Sequence, residues 1–413
     1  MRKNLKLPFD LKKAEEIIAE FGSPIYLYDE AGIRTSAKTL NKNFAWAKDY
    51  KNYFAVKATP TPAILKLLHE EGMGFDCSSR TELTIMQRMG VSGEDIFFTS
   101  NNTPIADFEL AVQLGATVNL DDLAQVTVFT EVLKSRSYNR VAARYNPGDL
   151  KSGNAIIGEP VEAKYGMSTQ QLIEAFKILK QQDIAEFGLH AMVASNELEP
   201  NYFADTAQLL LDAVELIESE VGIKFTFINL GGGFGVNYLP DQASFDSQAA
   251  SDEIYGVLKK RNRTDLIVFT ENGRFVTGPH GFLLTRVQYV MEKYKRYAGV
   301  DASMHNLMRP GMYGAYHHIT VLGKEDWPHE EQYDVVGSLC ENNDKFAINR
   351  KLPQLHQGDL LVIHDAGAHG HAMGFNYNGL TRSAEVLLNK EGSVELIRKP
   401  ESIDQVLANI IWP

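Results

Sequence analysis

Cysteine is scarce: among 413 residues only Cys77 and Cys340 carry thiols, far apart and outside any Cys-x-x-Cys spacing. That excludes a disulfide-built scaffold and fits a reducing, cytoplasmic setting, with one thiol open to chemistry. Positive charge is also short. Lysine and arginine number 41 against 53 acidic residues, a net charge of -12, so neither nucleic acid nor an anionic membrane finds the basic face it needs. Any anionic ligand must then be met by a few local arginines. No apolar run reaches the length of a membrane span. The opening thirteen residues scatter lysines without an apolar core and cleavage site, so they are no secretory signal. Low-complexity tracts are absent too.

What remains is an ordinary soluble composition, 44% hydrophobic and 23% charged. The chain is long enough for two domains, or for a barrel of about 250 residues with a smaller module. Leu11, Ala14, Ile17, Ile18 and Phe21 at helical spacing, closed by Gly22, predict a short amphipathic helix. It belongs to an N-terminal segment, residues 1–25, expected to pack with the C-terminal domain. From residue 26 to 278 a βα rhythm takes over, with strands read at 53–57, 74–77, 96–100, 116–121, 141–146, 187–195, 225–230 and 266–271. Thr61-Pro62, a Ser79/Glu82 capping box and Thr103-Pro104 open helices between them, and a loop rich in Gly, Pro and Asn covers 147–166. Eight is the count at which a parallel sheet closes, so the fold class is α/β, a (β/α)8 TIM-type barrel. Count, length and the polar residues at strand C-terminal ends favour it over an open doubly wound sheet. Residues 279–413 give short β runs at 282–290, 317–322, 333–336, 360–363 and 384–388, then a capped helix over 402–411. These predict a second, mostly β domain.

The first barrel strand ends in Lys57. A strand-end lysine is ordinarily a solvated amine on an apolar stem, yet an amine at a strand's C-terminal end also forms imines. Gly231-Gly-Gly-Phe-Gly235 directly follows the seventh strand, and three consecutive glycines leave N–H groups free to converge on an anion. The plainer reading is a tight βα turn, but barrel phosphate sites favour the loops after strands seven and eight. After strand eight comes Glu271-Asn-Gly-Arg274, either a structural salt bridge or, beside a phosphate, an arginine for an anionic group and an acid for a protonated ring nitrogen. Alternation puts His190, Met192 and Ala194 on one face of strand six, with Ser195 at its end as a phosphate donor. His190 is either a hydrogen-bonded core histidine or a catalytic, cofactor-facing one. Asp76 ends strand two and is expected to pair with Arg144 of strand five, an arrangement that is commonly only structural. A lysine, a phosphate nest and a ring-nitrogen acid together ask for an aldehyde, a phosphate and a basic ring nitrogen, which pyridoxal 5′-phosphate (PLP) supplies. His369, His371 and Asp365 permit a metal site, which ranks lower because no further ligand pattern accompanies them, and no metal is expected.

Six stretches resemble, in order, the fold-type III PLP decarboxylases, and most nearly the diaminopimelate decarboxylases, over about residues 23 to 390. They are Tyr53-Phe-Ala-Val-Lys-Ala, Gly74-Phe-Asp-Cys-Ser-Ser-Arg-Thr-Glu-Leu83, Asn229-Leu-Gly-Gly-Gly-Phe-Gly235, Arg309-Pro-Gly-Met-Tyr313, Cys340-Glu-Asn-Asn-Asp344 and Asn376-Tyr-Asn378. The resemblance implies a Schiff base at Lys57, phosphate held by Ser195 and the backbone of Gly232, Gly233 and Gly273, and Glu271 on the pyridinium nitrogen. Asp76, Arg144, His190, Met192, Arg274, His369 and Tyr377 complete the implied cofactor site. It also implies a homodimer with shared active sites, Cys340 and Glu341 reaching the partner's barrel, and Cys340 as the proton donor to Cα. Arg274, Arg309 and Tyr313 match positions that hold a distal carboxylate, and Glu341 one that meets a distal amine. The implied reaction is decarboxylation of meso-2,6-diaminopimelate at its D centre to L-lysine and carbon dioxide, the last step of lysine biosynthesis.

The chain departs from the family pattern at three places. Met192 stands where a histidine usually stacks on the cofactor, Gly367-Ala-His369 replaces Gly-Ala-Tyr, and Asn272 replaces the proline of Glu-Pro-Gly-Arg. A decarboxylase of a D-amino acid or a carboxylated polyamine is the nearest rival, disfavoured by Arg309 with Tyr313. A non-catalytic PLP-binding regulatory protein is the other, disfavoured by retention of Lys57 and Cys340, since a carrier needs no proton donor.

Overall fold

Short runs of apolar residues, each released by a glycine-stopped or capped helix, build the parallel sheet of the computed structural model. The structure describes residues 6–153 and 158–413. Residues 1–5 of the expected N-terminal segment and 154–157 of the expected loop lie outside the described residues. Contacts divide the chain into two units.

One unit comprises Thr35–Val236 and Ser244–Phe275. Its strands Lys51–Ala55, Gly74–Cys77, Ile96–Thr99, Thr117–Leu120, Tyr138–Tyr145, Ile184–Ala191, Phe225–Asn229 and Ile267–Thr270 form a closed barrel in chain order. The eighth bonds to the first through Lys51↔Phe269 and Asn52↔Thr270, in parallel register. Parallel strands are covered on both faces, which is why they read as unbroken apolar runs. Buried Tyr53, Phe97, Ala142, Phe227 and Phe269 cluster together, so one layer of the barrel is packed side chain, not a channel. Arg140 lies over Phe227 and Phe269 with its charge met by Glu186 at 2.7 Å.

Local signals behave as the sequence predicts, with small shifts. Ser79 caps Arg80–Met89, but Glu82 returns its carboxylate to Ser78 N–H at 2.6 Å, so the reciprocal arm lands one residue early. A full capping box forms instead at Ser168, opening Thr169–Leu179. The sixth strand ends at Ala191, before Met192 and Ser195. There the glycine-rich segment crosses it: a Cβ on Gly231 would sit 2.4 Å from Ala191 O, and Glu197 N–H donates to Gly233 O at 2.8 Å. Residues 192–197 therefore lie along that segment rather than in the sheet, and strand alternation does not extend to Met192 and Ala194.

The other unit holds the chain up to Arg34, Asn237–Ala243 and Val276–Pro413. It is a nine-stranded sheet in which Ile25–Asp29 pairs antiparallel with Gly281–Glu292 and parallel with Ala384–Leu388. A barrel boundary at residue 26 would cut through that strand; the first barrel strand starts at Lys51. Phe9, and Ala14 and Ile17 on the apolar stripe of Leu11–Phe21, share a core with Leu27, Leu284 and Val386. The expected closing helix is the single turn Ile403–Leu407, capped by Ser402.

Candidate active site

Most of the expected site residues gather where the barrel strands end. Lys57 occupies a 3-10 turn, Val56–Ala58, directly after the first strand. Its Nζ lies 3.9 Å from Asp76 Oδ2 on the second strand, and its side chain is 55% exposed. Asp76 is buried, and its Oδ1 has no hydrogen-bond partner. Burial, reinforced by the Glu271 charge, pushes the Asp76 carboxyl well above the usual carboxylate range against the pull of Lys57. Glu271 is buried too, which works to raise it. His190, Lys57 and Arg144 outweigh burial and hold it below its ordinary value.

The expected Asp76–Arg144 pair does not form. Arg144 Nη1 is 3.4 Å from Asp121 Oδ1, and its guanidinium covers the Tyr165 ring at 4.1 Å. Asp121 follows the fourth strand, next to the fifth that carries Arg144, whereas Asp76 sits three strands away in the barrel.

Glycines let three rim segments meet. A Cβ on Gly232 would stand 2.5 Å from Glu271 O, and one on Gly273 would stand 2.9 Å from Ala58 Cβ, beside the lysine turn. Gly232 N–H points to Met192 Sδ at 3.2 Å, so a soft sulfur, a weak acceptor, sits at the cradle. Asn272, in place of proline, uses the donor that proline lacks: its N–H bonds Asn52 Oδ1 at 2.8 Å, and its Oδ1 accepts from Phe234 N–H at 3.0 Å. Arg274 follows, half-buried. Ser195 lies in the loop before the helix Asn201–Val221.

The β unit holds the remainder. Arg309 is buried; its Nη1 is 2.8 Å from His317 Nε2, and its guanidinium lies 4.5 Å from the Tyr238 ring centre. His317 Nδ1 meets the His364 carbonyl at 2.8 Å. A carbonyl only accepts, so Nδ1 carries the proton and Nε2 accepts from Arg309. Tyr313 and Tyr377 are exposed. The exposed Cys340 donates its backbone N–H to Asn378 Oδ1 at 2.7 Å. Its loop, which includes exposed Glu341, is anchored by buried Asp344 accepting from Met304 and Leu339 N–H at 2.6 and 2.8 Å. His369 is half-buried in a left-handed conformation, φ 54. His371 commits both ring nitrogens, to Ser383 O at 3.0 Å and Arg382 at 2.9 Å, which leaves it unsuited to a metal. Among the described residues no group of three His, Cys, Asp or Glu side chains is arranged to hold a metal.

Sequence reasoning missed the asparagines. Asn119 lies between Thr99 and His190, and Asn229 holds Glu271 Oε1 at 2.8 Å. A signal existed for each: Asn119 interrupts the short strand Thr117–Leu120, and Asn229 precedes the three glycines.

A barrel with a rim lysine, a glycine cradle and a buried ionised acid defines a PLP-dependent enzyme. The family model for the pyridoxal-binding domain of pyridoxal-dependent decarboxylases matches residues 30–278. The chain belongs to that family, and its cofactor is PLP. Protein TabA of Pseudomonas amygdali pv. tabaci is 40% identical over 96% of this chain and 93% of its own. Diaminopimelate decarboxylase of Methanothermobacter thermautotrophicus is 32% identical over 95% of this chain and 93% of its own. Among solved structures, diaminopimelate decarboxylase of Methanocaldococcus jannaschii in co-complex with L-lysine superposes with a TM-score of 0.89 at 30% identity, covering 97% and 94% of the two chains. The rim residues fit the cofactor. The cradle glycines approach neighbouring backbone too closely for a side chain, Gly232 N–H has only a thioether to exchange for phosphate, and Glu271 is ionised beside an imidazole. Among the described residues no helix is long and apolar enough to cross a membrane.

Proposed function

We propose that this enzyme decarboxylates meso-2,6-diaminopimelate to L-lysine and carbon dioxide, the closing step of lysine biosynthesis. Bound PLP supplies an electron sink for the pair of electrons left at Cα as carbon dioxide departs. The chain's own residues do the rest. Lys57 would anchor the cofactor through its aldehyde. Glu271, ionised, holds the ring nitrogen protonated. Ser195 and the N–H groups of Gly232, Gly233 and Gly273 would hold the phosphate, and Met192, Arg274, His369 and Tyr377 are assigned to the same cofactor. Asp76, its carboxyl pushed up by burial, stands beside the lysine.

The observation that carries the substrate assignment is Arg309. A neutral imidazole and a phenol face fix its guanidinium, a fork suited to two-point binding of a second carboxylate. Arg274 and Tyr313 are assigned to the same carboxylate and Glu341 to the distal amine. The working unit is proposed to be a homodimer in which Cys340 and Glu341 serve the partner's barrel, the Cys340 thiol returning a proton to Cα. Two free cysteines fit a reducing compartment, and we place the enzyme in the cytoplasm.

One observation favours a second reading: TabA is more similar, at 40% identity, than the diaminopimelate decarboxylase of M. thermautotrophicus at 32%. With Met192 and His369 in the implied cofactor site, this leaves another amino acid with a distal carboxylate as the alternative substrate. The test is carbon dioxide release by the PLP-loaded protein from meso-diaminopimelate, other amino acids with a distal carboxylate, lysine, ornithine and D-amino acids in parallel. Release from meso-diaminopimelate with stoichiometric L-lysine is expected. Turnover of other amino acids alone would sink the assignment.

A further inference from the structure

Five buried polar side chains inside the barrel lie in one line that the cofactor assignment does not explain. Thr99 Oγ1 accepts from Asn119 Nδ2 at 3.1 Å, and the same Nδ2 lies 2.9 Å from His190 Nδ1. His190 Nε2 lies 3.3 Å from Glu271 Oε2, an ion-pair distance at which the ring nitrogen makes no hydrogen bond. The other carboxylate oxygen, Oε1, accepts from Asn229 Nδ2 at 2.8 Å, and Asn229 Oδ1 accepts from Gly231 N–H at 2.9 Å. The line runs from the third barrel strand through the fourth and sixth to the end of the eighth, then back through the seventh to the first glycine of the anion cradle. Asn119, His190, Asn229 and Glu271 are all buried. Buried polar groups are costly unless each is used, so the arrangement calls for a role.

Direction follows from the donor inventory. An amide NH2 only donates, so the His190 Nδ1 it meets presents its lone pair, and the ring's one proton sits on Nε2, facing Glu271. Turning the Asn119 amide over would set its oxygen against Nδ1, which would then have to carry a proton. It would also trade the buried Oδ1, which lacks a partner as placed, for a buried NH2 short of an acceptor. Asn229 works at both ends, tying the acid to the loop through one planar amide.

We propose that Asn119 and Asn229 are positioning residues: Asn119 fixes the His190 tautomer with its proton on Nε2, the nitrogen turned toward Glu271, and Asn229 holds that acid in register with the glycine cradle. A ligand bound at both ends, ring nitrogen to Glu271 and phosphate to the loop, meets a spacing set by Asn229. This rests on the reading of Glu271 and the glycine loop as cofactor contacts.

The test separates the two. In apoprotein labelled with 15N-histidine, the His190 ring signals, identified by their loss in His190→Gln, report the tautomer with no cofactor bound. Wild type is expected to show a protonated Nε2 and a bare Nδ1 at pH 7. Asn119→Asp, nearly isosteric, offers Nδ1 an acceptor and is expected to convert the ring to the doubly protonated form and to shift the acid limb of the kcat profile. Asn229→Leu and Asn229→Asp are expected to weaken PLP binding by about tenfold or more, the loss of a hydrogen bond to a charged group, with lesser change in the His190 signals. A wild-type Nδ1–H ring, or a tautomer indifferent to Asn119→Asp, overturns the role of Asn119. PLP affinity unchanged in both Asn229 variants overturns that of Asn229. Wild type that forms no visible PLP absorbance would instead overturn the cofactor contacts themselves, while the histidine signals still report on the line.

Discussion

Asp76 and Glu271 share the barrel rim, and their environments push them apart. Burial and the neighbouring charge raise Asp76, whereas His190, Lys57 and Arg144 overcome burial to keep Glu271 ionised. Two carboxyls driven in opposite directions suit different work, and the lowered one, Glu271, is the one proposed for the ring nitrogen. The glycines fix where that charge stands. Gly232→Ala would place a methyl 2.5 Å from the Glu271 carbonyl oxygen, a backbone atom with no rotamer to yield. Overpacking of this kind costs about 1–3 kcal/mol, and the displaced loop and acid are expected to lower PLP affinity at least about tenfold. Thermal melting and PLP titration check this; an unchanged PLP affinity would show that the cradle lies elsewhere.

At the scale of elements, the barrel is legible because each parallel strand, buried on both faces, is a short apolar run between helix stops such as Gly72, Gly90 and Gly115. The β unit is less so. Lys345–Leu352 and Val394–Arg398 leave much of their length exposed and carry charges, so no clean alternation marks them. Arg296–Val300 includes a glycine, and Ile25–Asp29, apolar enough, lies far along the chain from both neighbours that make it a central strand. The site divides the same way. Lys57, Glu271 and the three glycines stand out because chain position alone marks them. Partner choice does not: Arg144 takes Asp121 over Asp76, and Asn119 meets His190, because the closed barrel decides which strand ends are neighbours.

For the whole molecule, acid sensitivity should originate in the β unit. Burial pushes His280 and His371 down to about 4, so both stay neutral in the folded protein at pH values where the unfolded chain protonates them. The unfolded state then binds more protons between about pH 6.5 and 4, and stability falls as the pH is lowered through that window. Each histidine contributes up to about 3 kcal/mol to this fall. Glu385, held below its ordinary value by His371 and Arg398 in spite of burial, loses its contribution in the same direction as acid protonates it. Chemical denaturation from pH 7 to 4 should show the slope, and His371→Gln, which keeps a donor for Ser383 O, should flatten it; a slope equal to that of the wild type would contradict this origin. The proposed shared-site homodimer makes its own demand on the assembly. Lys57→Ala mixed with Cys340→Ala should regain about a quarter of wild-type turnover by random reassortment, since one hybrid site in each mixed dimer is intact. Failure to regain any would count against it.

The central claim is that Lys57, on the turn after the first barrel strand, carries the cofactor. Borohydride reduction of the PLP-loaded enzyme, followed by digestion and mass spectrometry, tests it most directly. A pyridoxyl group on the peptide containing Lys57 is expected, with turnover lost in parallel; the group on any other lysine would contradict the account.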